Sequence, residues 1–280
     1  MNIKITADST CDLTPQLVEQ YGITITPLAV SCGGESYLDG VDITPDGLYE
    51  TIKATGQLSS TAAVNVQEYI EVFTEALKDH DAVIHFTISS DMSSCYQNAC
   101  IAAQEVGNVW VVDSRSLSTG IAHLVLDACD MAREGMAPAD IHAELERRRE
   151  KLDVSFVVDT LDYLRKGGRC SAVAALGANL LKLHPCIYVK DGAMGVGKKY
   201  RGKLGDCLVN YVKERLADGD SVDTRRIFIT DSGVDDAIRD EVEATLRSLL
   251  PFEEIIRTRA GCTVSSHCGP GTLGILFYRK

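Results

Sequence analysis

The sequence predicts an α/β protein of two α/β domains. The N-terminal domain should hold a mainly parallel sheet with flanking helices, and the C-terminal domain a mixed sheet with helices. Three observations lead there. Short apolar runs of strand character alternate with segments of helical spacing through the first half, the rhythm of right-handed crossovers. The second half mixes strands with an amphipathic helix and ends on a strand entered through Gly-Pro-Gly. The length of 280 residues, with 45% hydrophobic and 24% charged side chains, is enough for two ordinary domains with substantial cores. We place the boundary at 1–155 and 156–280, with one module over the whole chain, because no repeat and no low-complexity linker separates the halves.

In order, Ile3 to Ala7 and Ile23 to Val30 read as strands, with a helix between them that Thr14 caps and Pro15 starts. Gln67 to Lys78 places Ile70, Phe73, Ala76 and Leu77 on one helical face. Ala82 to Ile88 is a strand, Ser93 to Val106 a helix, and Val109 to Val112 a strand ending at Asp113. Helices begin near Ser118 and Pro138. In the second half, Val154 to Val158, Ile187 to Val189, Ile227 to Thr230 and Thr272 to Tyr278 are strands, and Ala237 to Leu250 is a helix. The run Ser171 to Leu183 reads as a helix with almost no polar face, Lys182 being its only charge.

The formal net charge of −12 argues against nucleic acid and against an anionic membrane leaflet as partners. No apolar run approaches the ~20 residues needed to span a bilayer. The first ten residues alternate like a strand and hold no signal-peptide core, so a cytoplasmic location is expected and an integral membrane protein is not. Ten cysteines are scattered without a C-x-x-C pair and are expected as buried reduced thiols. No His/Cys cluster has metal-ligand spacing, so no metal is expected.

Chemistry-bearing residues fall in five places. Four strand ends carry short polar residues, Asp8-Ser9-Thr10, Ser89-Ser90, Asp113-Ser114 and Asp231-Ser232, and ligands of open parallel sheets collect at such ends. Ser93 and Ser94 follow one of them at a helix start, where free N–H groups favour an anion. Any one of these also reads as a helix cap. The hydroxyl loop Ser59-Ser60-Thr61 precedes Ala62-Ala63-Val64, a polar head beside a greasy wall, or simply a turn. His267 sits in Ser265-Ser266-His267-Cys268-Gly269-Pro270-Gly271, either structural or functional. Tyr163 to Arg169 gathers Arg165, Lys166 and Arg169 around two glycines, which suits a phosphate, an acidic partner or plain solvation. The small residues of the helix from Ser171 leave room for a neighbouring helix or an alkyl chain.

Taken together these segments resemble the DegV family. Asp8 to Leu13 resembles its opening D-S-T-x-D-L, Ile88 to Tyr96 its I-S-S-x-L-S-G-T-Y, Leu164 to Arg169 its L-x-K-G-G-R, and Ser266 to Gly271 its S-H-x-G-P-G. The resemblance runs nearly end to end. It implies a protein that is not itself an enzyme and uses no cofactor, with one long-chain fatty acid such as palmitate buried near the domain junction. It further implies that Thr61 and Ser93 hold the carboxylate. Ser94, Arg169 and His267 belong to the head-group or partner region, and Ala172, Ala175 and Leu176 are expected to line the acyl chain. In part of the family the bound acid is presented to a separate ATP-dependent fatty acid kinase that makes an acyl phosphate. Three departures stand out. Thr61-Ala62-Ala63-Val64-Asn65 replaces T-S-Q-P-S, Ser94 replaces a glycine and Cys95 a threonine. The competing readings are a hydrolase using Ser93 or Cys95 with His267, which lacks a G-x-S-x-G elbow, and a phosphotransferase. The latter lacks a G-x-x-x-x-G-K-[ST] loop, since the run DGAMGVGKKY reads as a hairpin.

Overall fold

A computed structural model describes residues 1–174 and 183–280. The first half contains β1 (Ile3–Asp8), α1 (Pro15–Tyr21), β2 (Thr24–Thr26), β3 (Ala29–Cys32), β4 (Glu35–Leu38) and α2 (Pro45–Thr55). It continues through β5 (Ser60–Ala62), α3 (Val66–Ala76), β6 (Ala82–Thr87), α4 (Cys95–Val106), β7 (Val109–Asp113), α5 (Thr119–Arg133) and α6 (Pro138–Arg149). The second half contains β8 (Leu152–Val157), α7 (Asp162–Gly167), α8 (Ser171–Ala174), β9 (Leu183–Lys190), β10 (Ala193–Arg201) and α9 (Leu204–Arg215). It ends with β11 (Val222–Ser232), α10 (Asp236–Leu249), β12 (Glu254–Arg259), α11 (Cys262–Cys268) and β13 (Thr272–Arg279).

A parallel sheet in the order β2-β1-β6-β7 and a mixed sheet in the order β10-β9-β8-β13-β11-β12 carry the α/β architecture. The parallel sheet is covered on both faces, and alternation along β6 sorts its side chains accordingly. Ile84 and Phe86 join α5 in one core, while Val83 joins Tyr69 and Phe73 of α3 and Cys95 and Ala99 of α4 in another. The mixed sheet packs Ile227, Ile229, Leu273 and Ile275 against α9 and α10. From its opposite face Val154, Phe228 and Leu276 meet α5. Helix α5 therefore lies between the two sheets with 12 of its 15 residues buried. Its close approach to the mixed sheet requires Gly120, where a Cβ would come within 3.0 Å of Val154 Cγ2 and closer still to Ser116 Oγ.

Several expectations are corrected. The segment Ile23 to Val30 is two strands in different sheets, because Pro27 offers no N–H and interrupts pairing after Thr26. The Ser59-Ser60-Thr61 loop contains β5, which pairs with β3 in a third sheet, β4-β3-β5. His267 lies in the last turn of α11. Of the helix expected over Ser171 to Leu183, Ser171–Ala174 is helical and Leu183 opens β9. Ala175 and Leu176 lie outside the described residues. Strand β8 pairs with β9 and β13 of the mixed sheet. No helix among the described residues is long and apolar enough to cross a membrane.

Candidate functional site

A cavity open to solvent lies where β5, the segment leading into α4, the N-terminus of α5, α7, α11 and the mixed sheet meet. Leu28, Ile88, Met92, Leu117, Phe156 and Leu276 give it apolar walls, and Thr61, Ser93, Arg169 and His267 bring polar groups to the same space.

Thr61 reaches the cavity from β5, opposite Val30 of β3, whose own side chain is fully buried. Its Oγ1 is hydrogen-bonded to His267 Nε2 at 2.8 Å. Burial pushes the His267 imidazole down to about 4, and the Arg169 guanidinium acts in the same direction, so the ring is neutral at pH 7. Its Nδ1 is buried without a hydrogen-bond partner. That edge is covered by Gly167, the last residue of α7, where a Cβ would sit 2.2 Å from Nδ1. The first glycine of the Lys166-Gly167-Gly168-Arg169 run is thus a packing requirement of the histidine. Arg169 is exposed, donating from Nη1 to the Gly167 carbonyl at 2.7 Å and from Nε to the Met92 carbonyl at 3.4 Å.

Ser93 Oγ accepts from the Cys95 N–H at 3.3 Å and donates to Cys95 Sγ at 3.2 Å. Ser94 is exposed, takes an ordinary φ of −78° as the N-cap of α4 and makes no side-chain cap bond. A side chain in place of glycine at 94 therefore meets no left-handed strain. Cys95 is fully buried, and burial, with Asp8 nearby, pushes its thiol up to about 12. The arrangement does not favour hydrolysis, because the thiolate is suppressed and His267 Nε2 bonds Thr61 instead of Ser93 or Cys95. Ala172 packs half-buried beside the cluster holding Met92, Leu117 and Phe156, and is not among the described residues lining the cavity. Among the described residues no group of three or more His, Cys, Asp or Glu is placed to hold a metal ion.

Of the four polar strand ends, Asp231-Ser232 lines the cavity. The others make bonds away from it. Asp8 accepts from the Tyr69 hydroxyl at 2.7 Å, Ser89 Oγ donates to the Gly192 carbonyl at 2.7 Å, and Ser90 Oγ donates to Asp113 at 2.6 Å. Sequence reasoning missed the device that seats α11. Asp12 Oδ1 accepts from the Gly261 N–H at 2.8 Å, and Asp39 accepts from the N–H groups of Cys262 and Thr263 at 2.7 and 3.0 Å. Two acidic side chains from the first half thus satisfy free donors at the start of a helix more than 220 residues away in the chain. Burial pushes Asp12 up to about 8. Asp39 acts in the same direction, while the Ser118 hydroxyl and the Gly261 N–H oppose it. Asp39 stands in no recognisable motif, so the only signal for it was its acidity amid the turn Leu38-Asp39-Gly40.

A family model described as "Uncharacterised protein, DegV family" matches residues 2–280. The chain belongs to the DegV family. A DegV domain-containing protein of Caldanaerobacter subterraneus subsp. tengcongensis is 33% identical over 282 residues, covering 99% of each chain. Among solved structures, a DegV-family protein of Thermus thermophilus described by its fatty acid binding superposes with a TM-score of 0.91 at 34% identity, covering 100% of both chains. A protein of Eubacterium ventriosum described as binding stearic acid superposes with a TM-score of 0.86 at 30% identity, covering 99% of this chain and 98% of its own. The DegV fold thus accounts for both sheets and their connection.

Proposed function

We propose that this DegV-family chain binds one long-chain fatty acid in the cytoplasm, the carboxylate held by the Thr61 and Ser93 hydroxyls with His267 and Arg169 beside it. The observation that carries the reading is that Thr61 and Ser93, 32 residues apart in the chain, open on one cavity whose remaining walls are largely apolar. Related proteins described as fatty acid binding share its fold at 30% identity or more. The energetics are favourable. Burying a carboxylate costs several kcal/mol unless it is hydrogen-bonded. Each hydrogen bond to it returns about 1.5–3 kcal/mol, so two hydroxyls and a backbone donor offset most of the cost. The tail then drives binding at about 0.8 kcal/mol per buried methylene, on the order of 11 kcal/mol gross for ~14 methylenes before association costs.

The same reading extends to a partner. The cavity mouth includes the exposed Arg169, and Arg165 and Lys166 precede it on the exposed side of α7, a local basic run on a protein of net charge −12. This surface suits a separate ATP-dependent fatty acid kinase that receives the carboxylate and makes the acyl phosphate. Reversing Arg165 and Lys166 to Glu, with Arg169 kept, should abolish acyl phosphate formation in a reconstituted assay while fatty acid remains bound. Normal turnover by that variant removes the kinase-docking role.

A further inference from the structure

Thr263, Val264, His267 and Cys268 line the cavity from one face of α11, as their spacing requires. Thr263 lies four residues, about 6 Å of helix rise, from His267, so it stands one turn away from the Thr61–His267 pair. It is 4% exposed, and its Oγ1 is buried without any hydrogen-bond partner. The neighbouring hydroxyls of this wall are all engaged. Ser118 Oγ donates to Asp12, Thr230 Oγ1 is shared between Thr119 and Thr258, Ser232 Oγ pairs with Ser265 and with the Tyr49 hydroxyl, and Thr272 Oγ1 donates to the Cys268 carbonyl. Among the described lining residues Thr263 alone keeps its side-chain donor and acceptor both unspent. A saturated chain lying against it leaves a buried hydroxyl unpaired, an arrangement that folded proteins avoid.

We propose that Thr263 is a hydroxyl-binding subsite within the cavity and that the ligands of this chain include long-chain fatty acids bearing a chain hydroxyl. The hydroxyl sits about one helical turn from the carboxylate end, with Thr263 Oγ1 as its partner. This rests on the fatty-acid reading above. Thr263 donates its O–H to the ligand oxygen, or its Oγ1 accepts from the ligand O–H, and no charged group is needed.

Delipidated protein challenged with palmitate and with a positional series of monohydroxypalmitates tests it. One member of the series should outcompete palmitate by about five- to tenfold, the worth of one buried neutral hydrogen bond. Thr263→Val, which keeps the shape and removes the hydroxyl, should erase that preference, and Thr263→Ser should retain it. Palmitate bound with no preference for any member, or a preference that survives Thr263→Val, overturns the subsite alone. So does a palmitate complex with an ordered water on Thr263 Oγ1 and no hydroxy-acid preference. If neither palmitate nor any hydroxy acid binds, the fatty-acid reading falls and takes the subsite with it.

Discussion

Gly167 makes a sharp test of how the polar end of the cavity is built. In Gly167→Ala the new methyl would lie 2.2 Å from His267 Nδ1, whereas non-bonded heavy atoms rest near ~3.5 Å. The imidazole must then move by about 1 Å, and its 2.8 Å bond to Thr61 Oγ1 cannot survive that shift. The lost bond is worth about 0.5–1.5 kcal/mol and the overpacking about 1–3 kcal/mol, together about 1.5–4.5 kcal/mol. The melting temperature should fall by about 4 °C or more, and the fatty acid carried through purification should drop. Gly168→Ala is the matched comparison. That glycine has φ +68° and nothing within 4 Å of its Cβ position, so its substitution costs about 1 kcal/mol of backbone strain and leaves His267 in place. Lipid content should be normal there. Both variants retaining lipid, with Gly167→Ala no less stable than Gly168→Ala, would refute the packing argument.

Other outcomes follow from the same geometry. Thr61→Ala and Ser93→Ala should each weaken fatty acid binding by about tenfold or more without unfolding the protein, since each removes one hydrogen bond to a charged group; titration of delipidated variants with a fluorescent fatty acid reads this. The pH dependence of stability has two parts of opposite sign. His123 and His267 are both pushed down to about 4 by burial, so their contribution is present above about pH 6.5 and is lost as pH falls towards 4. Asp12 is pushed up to about 8, so its contribution is present at acid pH and declines as pH rises to about 8. Between pH 6.5 and 8 Asp12 acts alone of these three, and Asp12→Asn should flatten the fall in melting temperature across that window. All ten cysteines are free, and Cys100 alone is more than marginally exposed, so a thiol reagent applied to the native protein should modify Cys100 first.

The parallel half of the fold was legible because its signals are local. β6, β7, α4 and α5 follow from apolar runs, Ser and Pro starts and helical spacing, and they stand within a few residues of where the sequence puts them. Pro27 was the overlooked sign that one apolar stretch is two strands. The short strands β4 and β5 and the helix α11 were not legible, because pairing with β3 and capping by Asp12 and Asp39 define them, and these contacts join distant segments. Thr61, Ser93, Arg169 and His267 were named from motif resemblance, yet nothing in their spacing foretold that Thr61 would bond His267 or that Gly167 would cover the ring. The orphaned Thr263 hydroxyl could not be seen in the sequence at all, since an unmade bond has no pattern. Helix α5 lies between the sheets, its polar His123 and Asp127 masking that burial in the sequence.

On the proposed reading, the space between Thr61, Ser93 and the apolar walls holds a fatty acyl chain. Mass spectrometry of the lipid extracted from the purified protein tests it most directly. The account predicts long-chain fatty acid at close to one molecule per chain. Protein that carries none, and takes up none when offered palmitate, would contradict it.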